Sequence, residues 1–94
     1  MNIRPAFATS LRTFRKTKNV TQEDFSEVSS RTYISQLERG LKSPTLDMLE
    51  ALAQPLGVHP LSLLVLAYLK AEEGGSLDTI LARVRREVDG VCND

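Results

Sequence analysis

The chain has 94 residues with 12 basic and 12 acidic side chains, so its formal net charge at neutral pH is zero. This length is typical of one small domain, and a hydrophobic fraction of 41% with a charged fraction of 26% is ordinary for a folded protein rather than a disordered one. The longest apolar run, over residues 61–69, is too short to span a bilayer, and no cleavable signal precedes the first helix. We therefore expect a soluble, cytoplasmic protein with no membrane partner.

A first helix is predicted over residues 5–18. Pro5 suits the first turn of a helix, where its missing N–H is not needed. Phe7, Leu11 and Phe14 follow at spacings of four and three, which places them on one face. We expect these aromatic side chains in the core, not on a surface where bases would stack.

Two short helices with a tight turn between them are predicted between residues 21 and 40. Thr21 and Asp24 have the spacing of a capping box, which begins the second helix, and Phe25 and Val28 give this helix a buried face. After a turn at residues 29–30, Ile34 and Leu37 supply the buried face of a third helix. Two helices joined at a steep angle present the second one outward on a rigid support.

The outward face of the third helix carries side chains that suit the edges of bases. They are Arg31, Thr32, Tyr33, Ser35 and Gln36. An arginine can bind O6 and N7 of guanine, a glutamine can bind N6 and N7 of adenine, and a serine or threonine can bind either base. Because an α-helix fits the major groove of B-DNA, this pattern predicts sequence-specific binding to double-stranded DNA.

Two further helices complete the predicted core. Thr45 can cap a fourth helix that ends near Gly57, with Pro55 in its last turn. Its buried side is expected to comprise Leu46, Leu49, Leu52 and Ala53. Pro60 then opens a fifth helix, with His59 as the residue that precedes it rather than as a metal ligand.

The fifth helix is apolar on nearly every side. One face is expected to close the core through Leu61, Leu64, Val65 and Tyr68. The other face, with Leu63, Leu66 and Leu69, would be exposed in a monomer, and exposed apolar patches often mark protein interfaces. We therefore expect a homodimer, unless a sixth helix of the same chain covers this face.

A flexible Gly-Gly-Ser break at residues 74–76 divides the chain into an expected DNA-binding domain, 1–73, and a C-terminal segment, 74–94. Apolar residues then repeat at helical spacing and predict an amphipathic sixth helix capped by Ser76. This helix could cover the fifth helix of its own subunit, swap onto a partner subunit, or bind another protein. The expected dimer interface comprises Leu63, Leu66, Leu69, Leu77, Ile80, Leu81 and Val84.

Side chains for catalysis or metal binding are sparse. Cys92 and His59 are the only cysteine and histidine, so neither an internal disulfide nor a Cys/His metal site can form. The acidic residues are scattered and no glycine-rich phosphate loop accompanies them. We expect neither an enzyme nor a protein that requires a cofactor or a metal.

The charges are distributed unevenly along the chain. Residues 1–42 carry eight basic and four acidic side chains, and the rest carries four basic and eight acidic ones. A basic front and an acidic back would orient the protein toward DNA, although two ordinary solvated faces would give the same distribution.

The sequence resembles the lambda repressor-like, or Xre-type, helix-turn-helix family of Cro and repressor proteins. The matching segments are residues 11–25, ISQLERG at 34–40, PTL at 44–46 and LGV at 56–58. The resemblance implies an all-α fold, a five-helix DNA-binding domain, to which this chain adds the C-terminal amphipathic helix. The segment between Phe25 and Ile34 is shorter than in most of the family, which leaves the register of residues 29–33 on DNA open.

The resemblance also implies roles for individual residues. Phosphates would be bound by Gln22 at the start of the second helix, by Ser30 at the start of the third, and by Arg39, Lys42 and Ser43 in the following loop. Base edges would be reached by Arg31, Thr32, Tyr33 and Gln36, with Ser35 as a further candidate. Arg15 and Glu38 match a pair that bridges the first and third helices, which is a structural role.

Two hypotheses for the function follow. The first is a homodimeric transcriptional regulator, a repressor that reads a palindromic operator with half-sites about 34 Å apart. The second is a protein-interaction module or antitoxin-like protein, whose C-terminal helices bind a partner protein.

Overall fold

A computed structural model describes residues 2–92, and within them it contains helices and no strand. Five α-helices follow in chain order: α1, Ile3–Thr17; α2, Arg31–Glu38; α3, Leu46–Leu56; α4, Pro60–Ala71; and α5, Leu77–Cys92. The all-α fold class is confirmed. Residue 1 of the expected domain 1–73 and residues 93–94 of the expected segment 74–94 lie outside the described residues.

The predicted second helix is a single turn of 3-10 helix, Gln22–Phe25, rather than an α-helix. Backbone N–H groups here bond three residues back, as from Ser26 to Glu23 and from Val28 to Phe25. The capping box has formed, because the Thr21 N–H donates to the Asp24 carboxylate and the Asp24 N–H donates to the Thr21 hydroxyl. Few residues separate this turn from the cap of α2 at Ser30, so the chain has no room for a longer helix.

The core combines one face of each of the first four α-helices with the 3-10 turn. Its buried members are Phe7, Leu11, Phe25, Ile34, Leu37, Leu49, Leu52, Ala53, Leu56, Leu63 and Ala67. The predicted core faces of the first three helical elements are confirmed, with Phe14 and Val28 partly buried against the core. The prediction that Leu46 is buried is wrong, because its side chain is 81% exposed at the first position of α3, which lies beyond the core.

Helix α4 is rotated relative to the prediction. Leu63 and Ala67, one turn apart, are fully buried, whereas Leu61 is 49% and Tyr68 47% exposed. The predictions that Leu63 is exposed and that Leu61 and Tyr68 close the core are therefore wrong. The buried Ser10 hydroxyl of α1 donates to the Leu63 carbonyl over 2.7 Å, so it fixes this face of α4 against α1.

Helix α5 is capped as predicted, since the Thr79 N–H donates to the Ser76 hydroxyl. Over its described length no side chain is fully buried. Within residues 2–92 no single helix is both long and apolar enough to cross a membrane, and α3 and α4 meet that criterion only together, across a bend of 103°.

The end of α2 depends on a glycine. The Gly40 N–H donates to the Leu37 carbonyl and the Leu41 N–H to the Gln36 carbonyl, which is a Schellman motif. Gly40 has φ +73°, and a Cβ added there would lie 3.5 Å from the Pro5 Cα of α1. That distance is an ordinary van der Waals contact, so it is the left-handed backbone that favours glycine at this position.

Candidate nucleic-acid interface

Helix α2 is held on the core through one face and presents the other to solvent. Ile34 and Leu37 are fully buried, whereas Arg31 and Thr32 are exposed. The helix begins at Ser30, whose hydroxyl accepts the Tyr33 N–H over 3.1 Å. This cap leaves the hydroxyl proton of Ser30 free to bond a phosphate oxygen.

The outward face of α2 and the start of the 3-10 turn form one polar groove, which we call the reading groove. It has a volume of about 430 Å³ and is lined by Gln22, Arg31, Thr32, Ser35, Gln36 and Arg39. All six are residues that the sequence analysis assigned to DNA contact. A second polar groove lies beside it. Gln22 and Arg31 line both grooves, and Ser30 also lines the second one.

The other predicted contact residues lie outside the reading groove. Tyr33 is half-buried and packs against the core, so only part of its ring faces solvent. Lys42 is exposed in the loop after α2. Ser43, in the same loop, accepts a hydrogen bond from Arg4 Nε over 3.2 Å, which connects the loop to the start of α1.

Arg31 has an acidic neighbour in the free protein. Its Nη1 lies 3.6 Å from Glu23 Oε1, with 73% and 78% of the two side chains exposed. An ion pair this exposed contributes little free energy, because water screens both charges. The Arg31 side chain can therefore leave Glu23 for a base at small cost.

Behind the reading groove, Arg15 and Glu38 form a bidentate salt bridge. Arg15 Nε lies 2.5 Å from Glu38 Oε2, and Arg15 Nη2 lies 2.9 Å from Glu38 Oε1. The exposed fractions of the two side chains are 16% and 4%. Hydrogen bonding to Glu38 raises the pKa of Arg15 above its ordinary value against the opposing effect of burial, so the guanidinium stays charged.

Glu38 has two further partners that the sequence analysis missed. Arg12 Nη1 donates to the Glu38 backbone carbonyl over 2.6 Å, and Gln22 Nε2 donates to Glu38 Oε1 over 3.1 Å. Arg12 lies three residues before Arg15 on α1, a spacing that places both on the same side of the helix and could have indicated its role. The inward bond of Gln22 had no signal in the sequence.

Comparisons with known proteins agree with this geometry. The helix-turn-helix family model matches residues 11–63. The chain is 37% identical over 76 residues to control protein C.SmaI of Serratia marcescens, covering 79% of this chain and 90% of that one. It is 42% identical over 66 residues to control protein C.BamHI of Bacillus amyloliquefaciens, covering 67% and 82%. The crystal structure of the clp gene regulator ClgR from Corynebacterium glutamicum matches with a TM-score of 0.69 and 28% identity, over 97% of this chain and 95% of that one.

Proposed function

The chain belongs to the lambda repressor-like helix-turn-helix family and is a DNA-binding transcriptional regulator, and we propose that it acts as a homodimeric repressor on a palindromic operator. The reading groove carries this proposal, because six polar side chains line it and four of them lie on the outward face of α2. A homodimer would place one such helix in the major groove of each half-site, about 34 Å apart.

We assign different roles to the residues around the reading groove. Arg31 and Gln36 read base edges, with Thr32, Ser35 and Tyr33 beside them. Phosphate contacts by Gln22, Ser30, Arg39, Lys42 and Ser43 fix the position of α2 on the duplex. No cofactor enters this mechanism, and repression would follow from occupancy of a promoter in the cytoplasm.

The homodimer is supported by an apolar groove whose lining includes residues of α4 and α5. This groove has a volume of about 480 Å³, and Leu66 and Leu69 of α4 and Leu77 and Leu81 of α5 are among its lining residues. Leu77, Leu81 and Val84 are each 41–46% exposed. The proposed interface comprises Leu66, Leu69, Leu77, Ile80, Leu81 and Val84, without the buried Leu63. Residues 1–73 would then bind DNA, and residues 74–94 would serve assembly.

The same apolar groove favours a second candidate function, in which α4 and α5 bind a different protein. The molar mass of the purified protein distinguishes the two candidate functions. A stable homodimer favours the repressor, whereas a monomer that aggregates favours a missing partner.

Selection of duplexes from a randomised DNA pool tests the proposed function. We expect the purified protein to enrich an inverted repeat whose half-sites lie about one helical turn apart. The selected sequences reveal the symmetry of the binding species directly. Absence of an enriched motif at low and moderate salt would contradict a self-sufficient repressor.

Arg31→Ala and Lys42→Ala should weaken binding in different ways. Loss of Arg31 is expected to cost about 1–3 kcal/mol on the selected duplex and to relax the preference at one base position. Loss of Lys42 should weaken binding to all sequences similarly and reduce the slope of log K against log salt by about one. Fluorescence anisotropy on selected and random duplexes measures both effects, and equal losses on both duplexes for both variants would refute the division of roles.

A further inference from the structure

We infer that Glu38 is a positioning residue for DNA binding, because its carboxylate orients the Gln22 amide toward a phosphate. This inference rests on the proposed phosphate contact of Gln22. The observation behind it is the bond from Gln22 Nε2 to Glu38 Oε1, which joins the first residue of the 3-10 turn to the last residue of α2.

The chemistry of the carboxylate determines which way the amide faces. An ionised carboxylate only accepts hydrogen bonds, so it selects the NH₂ side of the amide and repels the carbonyl oxygen. Arg15 holds both carboxylate oxygens from α1, which fixes the acceptor in space. One N–H of Gln22 is then used by Glu38, and the second remains available at a defined position.

The location of Gln22 makes that second N–H useful. Its side chain is half-buried and lines both the reading groove and the groove beside it. A donor fixed at this border would lose less conformational freedom on binding a phosphate than a freely rotating side chain would. Because Glu38 belongs to α2, the same bond also fixes the phosphate-binding residue relative to the helix that reads bases.

The first readout uses the unaltered protein without DNA. Nitrogen-15 relaxation of side-chain amides should show the Gln22 amide ordered on the nanosecond timescale, while that of Gln54, exposed on α3, should be mobile. A Gln22 amide as mobile as that of Gln54 would overturn the inference without the need for any variant.

The second readout removes the carboxylate without stranding a charge. The double variant Arg15→Met/Glu38→Met replaces a buried ion pair by apolar side chains of similar size, a change that many proteins tolerate. Arg12→Met is the matched control, because it removes a hydrogen bond to the backbone of Glu38 and leaves the carboxylate in place. Thermal melts establish that both variants are folded at the temperature of the binding assay.

The probe is the duplex enriched by the selection, with single methylphosphonates that remove the charge of one phosphate at a time. At the phosphate bound by Gln22, we expect the substitution to weaken binding of the unaltered protein and of Arg12→Met about 10- to 100-fold. The same methylphosphonate should not weaken binding of Gln22→Ala or of the double variant. Sensitivity retained by the double variant overturns the inference while the proposed function stands. If methylphosphonates weaken binding of Gln22→Ala at every position where they weaken binding of the unaltered protein, Gln22 binds no phosphate. Both the proposed contact and the inference are then wrong.

Discussion

Arg15→Ala is expected to lower the free energy of unfolding by about 3–5 kcal/mol, the largest loss we expect from a single polar substitution in this chain. The physical reason is the charge left behind. The Glu38 side chain is 4% exposed and would lose two hydrogen bonds from the guanidinium, so the buried carboxylate would keep the Gln22 amide as its remaining hydrogen-bond donor. Urea denaturation followed by circular dichroism measures the change.

Arg31→Ala is the matched control for that substitution. It also removes an arginine from an ion pair, but the pair with Glu23 is 73% and 78% exposed, so the expected loss is at most about 1 kcal/mol. A small domain has little stability to spare, and Arg15→Ala should therefore lower DNA binding by reducing the folded fraction. Equal stability losses for the two variants would show that burial of the Arg15–Glu38 pair has no energetic consequence.

The sequence predicted the starts of α3, α4 and α5, and each of these helices has a local cap. Helix α1 begins at Ile3 rather than at Pro5 as predicted, and its N-cap residue Asn2 makes no side-chain hydrogen bond. Thr45 accepts the Met48 N–H over 3.1 Å, and His59 Nδ1 accepts the Leu61 N–H over 2.9 Å. Ser76 caps α5 in the same way. These bonds connect residues two or three positions apart, so the residue types at that spacing are sufficient to predict them.

The rotation of α4 could not be predicted from its own residues. A helix with apolar side chains on nearly every side has no polar face to indicate which side meets solvent. The rotation is fixed instead by α1, where the buried Ser10 hydroxyl bonds the carbonyl of Leu63. Such a bond joins residues far apart in the chain, and its donor is a serine that no local pattern marks as buried.

The inward bond of Gln22 was missed for a related reason. The family resemblance assigns Gln22 to a phosphate, which indicates an outward side chain. Its partner Glu38 lies sixteen positions away and was assigned to Arg15 alone. A carboxylate has room for several donors, so one predicted ion pair does not exhaust its hydrogen bonds.

Leu81→Asp is expected to convert the proposed homodimer into a monomer and to weaken binding to a full inverted repeat about 100- to 10,000-fold, because the second half-site would lose the benefit of linkage. Leu81 lines the apolar groove between α4 and α5, and its side chain is 43% exposed in the single chain. A carboxylate there would have to lose its water in a dimer, whereas in a monomer it stays hydrated. The Leu81→Asp variant should therefore keep its fold.

Ala82→Asp is the matched control, since it places the same charge at the next position of α5, which is also exposed. Successive helical residues point about 100° apart, so this carboxylate lies away from the apolar stripe and should preserve the dimer. Sedimentation equilibrium gives the mass of each variant, and anisotropy on duplexes with one and two half-sites gives the affinities. On a single half-site Leu81→Asp should bind like a protomer of the unaltered protein. A Leu81→Asp protein that stays dimeric would place the interface elsewhere, whereas a monomeric unaltered protein would favour the partner-binding function of α4 and α5.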